Sequence, residues 1–403
     1  MGTSIAIPSE NEMKTNLALR ALCVAALALV ISACTATPET GENADSRADD
    51  GREPVTSGGG GETPSTPARL TFDARHSITI KVPEGAKQVK AWFAVPQFDE
   101  PAQKVANFVV RAPWATYLVR DSAGNLFLYL EKDNPGTTEF NVTTEFTIAR
   151  EEVNANVDAS KSRALTESEI KAMAPYLQPG KQTVVDDKVK AKAFEVVGTE
   201  KNPVKQARLI YDWVLNNVEY WVKDPKTMKA SGVGSSAYCM DKCMGNCTDF
   251  HALYVALAIA SNLPTRVTYG SFFKSPLDGK DADQSYHCWV EFYAPELGWI
   301  PLDVAAADIF VKDLKITDDN KNGVNLTVPD GYKGPDEKMV NYFFGNLDAR
   351  RVTWHLNRDL VLNPKQTGEP ANWLPKAYIE IDGKMYAEGK DTWARKLTFK
   401  ERK

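Results

Sequence analysis

The chain has no basic stripe. Its 48 lysines and arginines are interspersed with 53 acidic residues, and the net charge is −5. It therefore lacks the continuous positive surface that nucleic-acid phosphates require, and nucleic acid is excluded as an expected partner. The cysteines do not form the spread pattern of a disulfide framework. The six stand at 23, 34, 239, 243, 247 and 288, in one leader-like segment and one neighbourhood further on. The apolar run at 21–31 is too short to span a bilayer comfortably. What is present argues for folded structure. Hydrophobic residues make up 43% and aromatics 10%, including nine Trp, which is not the composition of a disordered chain. At 403 residues there is room for two to three domains.

Residues 1–12 are polar and featureless, and Met13-Lys14 opens a more convincing start. Lys14 and Arg20 form a basic region ahead of the apolar run, which ends in Ile31-Ser32-Ala33-Cys34. A branched apolar residue, two small residues and a cysteine resemble the lipobox of bacterial lipoproteins. The resemblance implies that residues 1–34 are a signal segment, that Cys34 is lipidated and becomes the N-terminus, and that Cys23 is removed. The alternative is an ordinary signal peptide with an incidental cysteine. Thr35 follows Cys34 in place of Asp, which by the same resemblance points to the outer membrane, facing the periplasm. Residues 35–67 are rich in Thr, Pro, Gly, Ser, Glu and Asp and read as a flexible tether.

From residue 68 the pattern changes to period two, punctuated by Pro83-Glu84-Gly85, Ser122-Ala123-Gly124-Asn125 and Asn134-Pro135-Gly136. Residues 68–150 are expected to form an antiparallel β-sandwich. Residues 151–203 read as a helical connector, with Thr166-Glu167-Ser168-Glu169 as a capping box and a second helical run at 187–197. Beyond it Leu209, Ile210, Trp213, Val214 and Val218 recur at helical spacing and predict a core-facing helix. A Gly-, Ser- and Lys-rich loop at 222–246 leads to a helix starting near Cys247 and ending by Asn262 and Pro264. Strand-like segments follow at 265–272, 286–293 and 299–304, and the loop 274–285 between the first two could rim a cleft. The fold class is α+β, with a core at 204–340 and a C-terminal β-rich extension at 341–403.

Three polar residues in this order carry chemistry. Asn246-Cys247 puts a sulfur at the first turn of a helix, whose unpaired N–H groups favour a thiolate and whose Cys247 N–H could meet an oxyanion. Gly245 leaves room for a substrate backbone to approach. Asp249 supports the helix start but opposes the thiolate. In the strand Tyr-His-Cys-Trp-Val-Glu-Phe-Tyr, His287, Trp289 and Glu291 share one face, and Cys288, Val290 and Phe292 share the other, the core face. Asp303, near the end of the next strand, lies within reach of an imidazole. Each residue alone has a blander reading as a buried small side chain, a structural histidine or a turn former.

Taken together, Gly-Asn-Cys-Thr-Asp-Phe-His-Ala-Leu-Tyr, then Leu-Pro-Thr-Arg-Val, then His-Cys-Trp-Val-Glu-Phe-Tyr, then Gly-Trp-Ile-Pro-Leu-Asp, resemble the transglutaminase-like superfamily. The resemblance implies a papain-like core, with Cys247 as nucleophile, His287 as base and acid, and Asp303 as the orienting carboxylate. It implies a cell-envelope thiol enzyme that cleaves or transfers amide bonds through a thioester. Its substrate would be a protein or peptide, peptidoglycan stem peptides among the options. A protease or amidase is the first expectation. A cross-linking transglutaminase and a non-catalytic binding module are the alternatives. No cofactor or metal is called for. Lesser readings stand beside these. Cys239, Cys243, Cys247 and Cys288 could hold a metal, or Cys239, Cys243 and Cys288 could pair in a disulfide. Asp318-x-Asn320-x-Asn322-Gly323 matches half a calcium loop but has Pro329 where a bidentate Glu belongs. Trp221 could offer an indole N–H to an oxyanion.

Overall fold

The period-two segments become strands, as their alternation requires. In the computed structural model, which describes residues 68–403, they are β1 (Arg69–Lys81), β2 (Gln88–Ala94), β3 (Gln103–Arg111), β4 (Thr116–Arg120), β5 (Leu126–Asp133) and β6 (Glu139–Glu151). Cys34, the signal-like segment and the tether fall outside the described residues. Phe72, Ala74, Ile78 and Ile80 on β1 and Phe140, Val142, Phe146 and Ile148 on β6 are buried. The two strands pair antiparallel from Arg69 opposite Glu151 to Lys81 opposite Glu139.

The helices follow: α1 (Glu167–Ala172), α2 (Asp187–Val197), α3 (Pro203–Asn217), α4 (Ser236–Lys242) and α5 (Cys247–Ala260). The capping box of α1 forms as its sequence predicts, with Thr166 and Glu169 exchanging bonds. On α3 the buried stripe is Val204, Ala207, Ile210, Tyr211, Val214 and Leu215, while Leu209 is 40% exposed. The stripe is thus turned from the expected one by about one residue. Helix α5 is apolar almost all round, every residue from 247 to 258 is buried, and it packs against α2, α3, α4 and a four-stranded sheet. That sheet has the order β9-β8-β7-β10, where β7 is Thr265–Phe272, β8 Tyr286–Ala294, β9 Gly298–Leu302 and β10 Arg351–Leu356. A short helix α6 (Val304–Asp308) follows β9, and α7 (Lys321–Thr327) and α8 (Glu337–Tyr342) lie between it and β10.

The C-terminal region does not stand apart. Strand β10 completes the sheet under α5, while β11 (Ala377–Ile381) and β12 (Trp393–Glu401) enter the two N-terminal sheets. The orders are β12-β1-β6-β3 and, with Lys384–Met385 at its edge, β11-β2-β5-β4. The sandwich domain expected at 68–150 takes strands from the extension expected at 341–403, and the two form one structure. Local periodicity says which face of a strand is apolar but not which distant strand covers its edge.

Candidate active site

The site starts at a helix cap. Asn246 accepts the N–H groups of Thr248 (3.1 Å) and Asp249 (3.2 Å), and Asp249 accepts that of Asn246 (3.1 Å). This box takes the second and third N–H groups and leaves that of Cys247 outside it. The other Asp249 bonds run to the preceding loop: the Ser231 N–H (3.1 Å), the Ser235 N–H (2.8 Å) and the Ser231 hydroxyl. Its charge is held by loop and cap donors. Gly245 has a different role from the expected one. A Cβ there would lie 2.4 Å from the Asp249 Cβ, so its missing side chain admits Asp249 rather than a substrate.

Strand β8 brings His287 over Asp303. His287 Nε2 lies 2.7 Å from Asp303 Oδ2, and the ring stacks on Phe272 with centroids 4.2 Å apart. His287 Nδ1 makes no hydrogen bond among the described residues, and Cys247 adjoins the imidazole. Asp303 ends β9 and caps α6, accepting the Ala306 N–H at 2.9 Å. Cys247, His287 and Asp303 are thus brought together, at 3%, 1% and 0% exposure. The thiol is enclosed, not set in an open cleft.

Three further side chains complete the cluster. Arg351 from β10, fully buried, donates to Asp303 Oδ2 at 2.5 Å and to Asp348 at 2.9 Å. Its guanidinium lies over Phe272 (4.7 Å) and Trp289 (5.3 Å). His251, one turn along α5 from Cys247, places Nε2 3.4 Å from Asp303 Oδ1 and Nδ1 3.2 Å from Cys288 Sγ. Cys288, read as a core residue from its strand face, reaches the site. The α5 face that carries His251 also carries the nucleophile candidate, so the core side of β8 and the site coincide. Spacing of four between Cys247 and His251 was a visible signal for this. Nothing in sequence pointed to Arg351, 48 residues beyond Asp303.

The electrostatics favour an ion pair. A hydrogen bond with Cys288 holds the Cys247 thiol well below the usual range; burial opposes this, and the His287 charge reinforces it. Burial would lower His287, but the charges of Asp303 and Cys247 outweigh it and hold the imidazole up at about 9. Asp303 behaves likewise: burial pushes it up, and His287 and Arg351 pull it well below the carboxylate range. Burial and the adjoining Cys247 push the Cys288 thiol up, so Cys288 stays protonated as a donor.

The remaining candidates fall elsewhere. Cys239, Cys243, Cys247 and Cys288 are free thiols. Among the described residues no cluster of three or more His, Cys, Asp or Glu is arranged to hold a metal. The half calcium loop runs into α7, with Asn320 bonded to Thr317 and Lys315 and Asp318 paired with Lys321. Trp221 packs beside Gly323 of that helix.

Residues 190–304 match the model of the transglutaminase-like superfamily, a segment that contains Cys247, His287 and Asp303. An uncharacterised protein of Haemophilus influenzae is 27% identical over 226 residues, covering 52% of this chain and 57% of that one. The match thus spans little more than half of that relative. Among solved structures, one from Cytophaga hutchinsonii, assigned provisionally as a cysteine protease, is 18% identical, with a TM-score of 0.48 over 83% of this chain and 98% of its own. The periplasmic domain of TgpA from Pseudomonas aeruginosa is 16% identical, with a TM-score of 0.28 over 58% of this chain and 87% of its own.

Proposed function

We propose that the transglutaminase-like core at residues 190–304 is a thiol acyltransferase that opens amide bonds. The observation that supports this most is the buried line Cys247, His287, Asp303, with His287 Nε2 at 2.7 Å from the carboxylate and the thiol held ionised beside the ring. The Cys247 thiolate attacks a carbonyl carbon, and the carbonyl π pair moves to oxygen. The imidazolium of His287 gives its proton to the leaving amine, and a thioester remains on Cys247. His287, now neutral, takes a proton from water as its oxygen adds to the thioester carbon; the C–S bond then breaks, the acid is freed, and Cys247 returns as thiolate beside the imidazolium. Hydrolysis is the reading we favour, because water needs no second binding site. The enclosure of Cys247, 3% exposed, favours the second reading, in which a bound amine reaches the thioester before water does.

The substrate class we propose is protein or peptide amide, with peptidoglycan stem peptides included. The place is the envelope surface, through a lipid on Cys34. No described helix is long and apolar enough to cross a membrane.

Cys247 should be alkylated by iodoacetamide at about pH 6 far faster than a model thiol, whose pKa is ~8.5. Cys247→Ala and His287→Ala should each abolish turnover of a peptide-amide panel that includes stem peptides. Turnover retained in either variant rules the mechanism out. Free acid as product supports hydrolysis, and incorporation of a labelled primary amine supports transfer. Cys34→Ser should move the full chain from the membrane to the soluble fraction; an unchanged membrane fraction would contradict the anchor.

A further inference from the structure

Arg358 carries a positive charge that no carboxylate answers. Every other described arginine pairs with an Asp or Glu, and among the described residues Arg358 pairs with none. Its hydrogen bonds all go to neutral oxygens: Gly234 O (2.6 Å), Val233 O (2.7 Å) and Asn372 Oδ1 (3.0 Å from Nε, 2.6 Å from Nη2). A guanidinium has five N–H groups, so one on Nη1 is left over. The adjoining Asp359 turns elsewhere and accepts the Lys181 N–H at 3.2 Å. A partly buried charge without a counter-charge is unfavourable, which points to an anion that arrives from outside. A second unanswered donor stands close by. The Tyr286 hydroxyl is buried and makes no hydrogen bond among the described residues. Trp373 links the two: the Arg358 guanidinium sits 5.4 Å over its ring, and the Tyr286 ring is stacked 6.4 Å from it. Both donors adjoin the reaction centre. Tyr286 directly precedes His287 on β8. Tyr269, opposite Cys288 in the sheet, stacks on Tyr286 (6.3 Å) and Trp373 (6.2 Å). The Arg358 charge is felt at the Cys288 thiol and the Tyr286 phenol.

We infer that Arg358 and the Tyr286 hydroxyl form a carboxylate-binding subsite beside the thiol, and that the substrates are peptides with a carboxylate near the scissile amide. The inference rests on the proposed function and narrows its substrate class. The carboxylate accepts the spare Nη1 N–H of Arg358 and the phenol O–H, and it supplies the counter-charge that the guanidinium lacks. Trp373 covers a face of the guanidinium, which leaves the N–H edge to the ligand. Burial and the neighbouring Cys288 push the Tyr286 phenol well above its usual pKa, so it stays protonated as a donor. An acidic side chain and a free C-terminus offer the same group. A neutral amide in its place leaves the charge unanswered, and the site discriminates against it.

The test reads binding at the thiol without requiring turnover. Each peptide is scored by the concentration that halves the rate at which iodoacetamide alkylates Cys247 in the full chain. N-acetyl tetra-alanine amides carry Glu or Gln at each position in turn, and N-acetyl tetra-alanine itself is used as free acid and as carboxamide. The expected result is that an acid protects at about tenfold or more lower concentration than its amide twin, as one charge-assisted hydrogen bond provides. The Glu pairs report a side-chain carboxylate, and the free-acid pair a C-terminal one. Arg358→Met should bring the ratio to about one, and Tyr286→Phe should lower it severalfold. A merely loosened 231–236 loop would weaken acid and amide alike and leave the ratio intact. Tyr286→Phe spares the loop bonds of Arg358, so it decides the matter if Arg358→Met loses its reactive thiol. Equal protection by acid and amide in every pair overturns the assignment, as does no protection by any peptide or a ratio unmoved by either substitution. Acid-selective protection without any amide turnover would remove the proposed function and keep the carboxylate subsite.

Discussion

At Asp303 two histidines and one arginine meet a single carboxylate. His287 and Arg351 share Oδ2, while His251 faces Oδ1 at 3.4 Å and in turn touches Cys288. A buried group of this kind is poor evidence for stability, because desolvation can exceed the Coulombic gain, whereas leaving one member unpaired costs ~3–5 kcal/mol. Its physical effect is on proton positions. The imidazolium of His287 persists up to about 9, so amide turnover should fall as pH rises through about 9 and the leaving amine loses its acid. On the acid side the rate should hold well below neutrality, because the Cys247 thiolate persists there. Cys288 is the largest cause of that persistence, through the hydrogen bond it gives the sulfur. Cys288→Ala removes the donor, so the Cys247 thiol rises and the alkylation profile moves to higher pH. A lost hydrogen bond of ~1 kcal/mol corresponds to a displacement of the profile by about 0.7 pH unit. Iodoacetamide rates across the pH range check it, and an unmoved profile would remove Cys288 from the account.

At the level of elements, the helix that bears the sulfur was the most legible part of the chain. Its start at Cys247 and its neighbouring strands follow from local signals: Asn246 as cap, continuous apolar residues, and alternation in β7 and β8. Residues missed from sequence were those whose meaning depends on a partner far along the chain. Arg351 lies among strand-like residues and gives no sign of its carboxylate until β10 pairs with β7. The loop before α5 shows the same dependence. Arg358 donates to the carbonyls of Gly234 (2.6 Å) and Val233 (2.7 Å), holds Asn372 and lies over Trp373. It thereby fixes the loop whose Ser231 and Ser235 hold Asp249. Charge-assisted bonds contribute ~1.5–3 kcal/mol each, so Arg358→Ala should speed amide hydrogen exchange in residues 231–236 at least about tenfold. Exchange there equal to the unaltered chain would show that the loop is held without the arginine.

On the scale of the whole molecule, the C-terminal strands close the sheets and brace the site. Strand β12 runs beside β1 from Trp393 opposite Ile80 to Glu401 opposite Phe72. Its outer side takes up the loop that leads into β8. The Gly279 N–H donates to the Phe399 carbonyl (2.9 Å), the Ala282 N–H to that of Leu397 (2.7 Å), and Arg395 pairs with Asp283. The loop expected to rim a cleft is therefore fastened only a few residues before His287. Removing residues 386–403 would uncover the β1 edge from Phe72 to Ile80 and release that loop in one step. Trp393, Leu397 and Phe399 are buried, and each such side chain contributes ~1.5–3 kcal/mol. Their joint loss, about 5–9 kcal/mol on that scale, approaches the ~5–15 kcal/mol by which domains are stable. The expected outcome is a truncated chain that melts at much lower temperature and aggregates through the open strand edge. Calorimetry and size-exclusion chromatography measure both. If the truncated chain instead stayed monomeric with an unchanged Tm and a fast-alkylating Cys247, β12 would be dispensable, and the core at 190–304 would have to hold His287 in place without it.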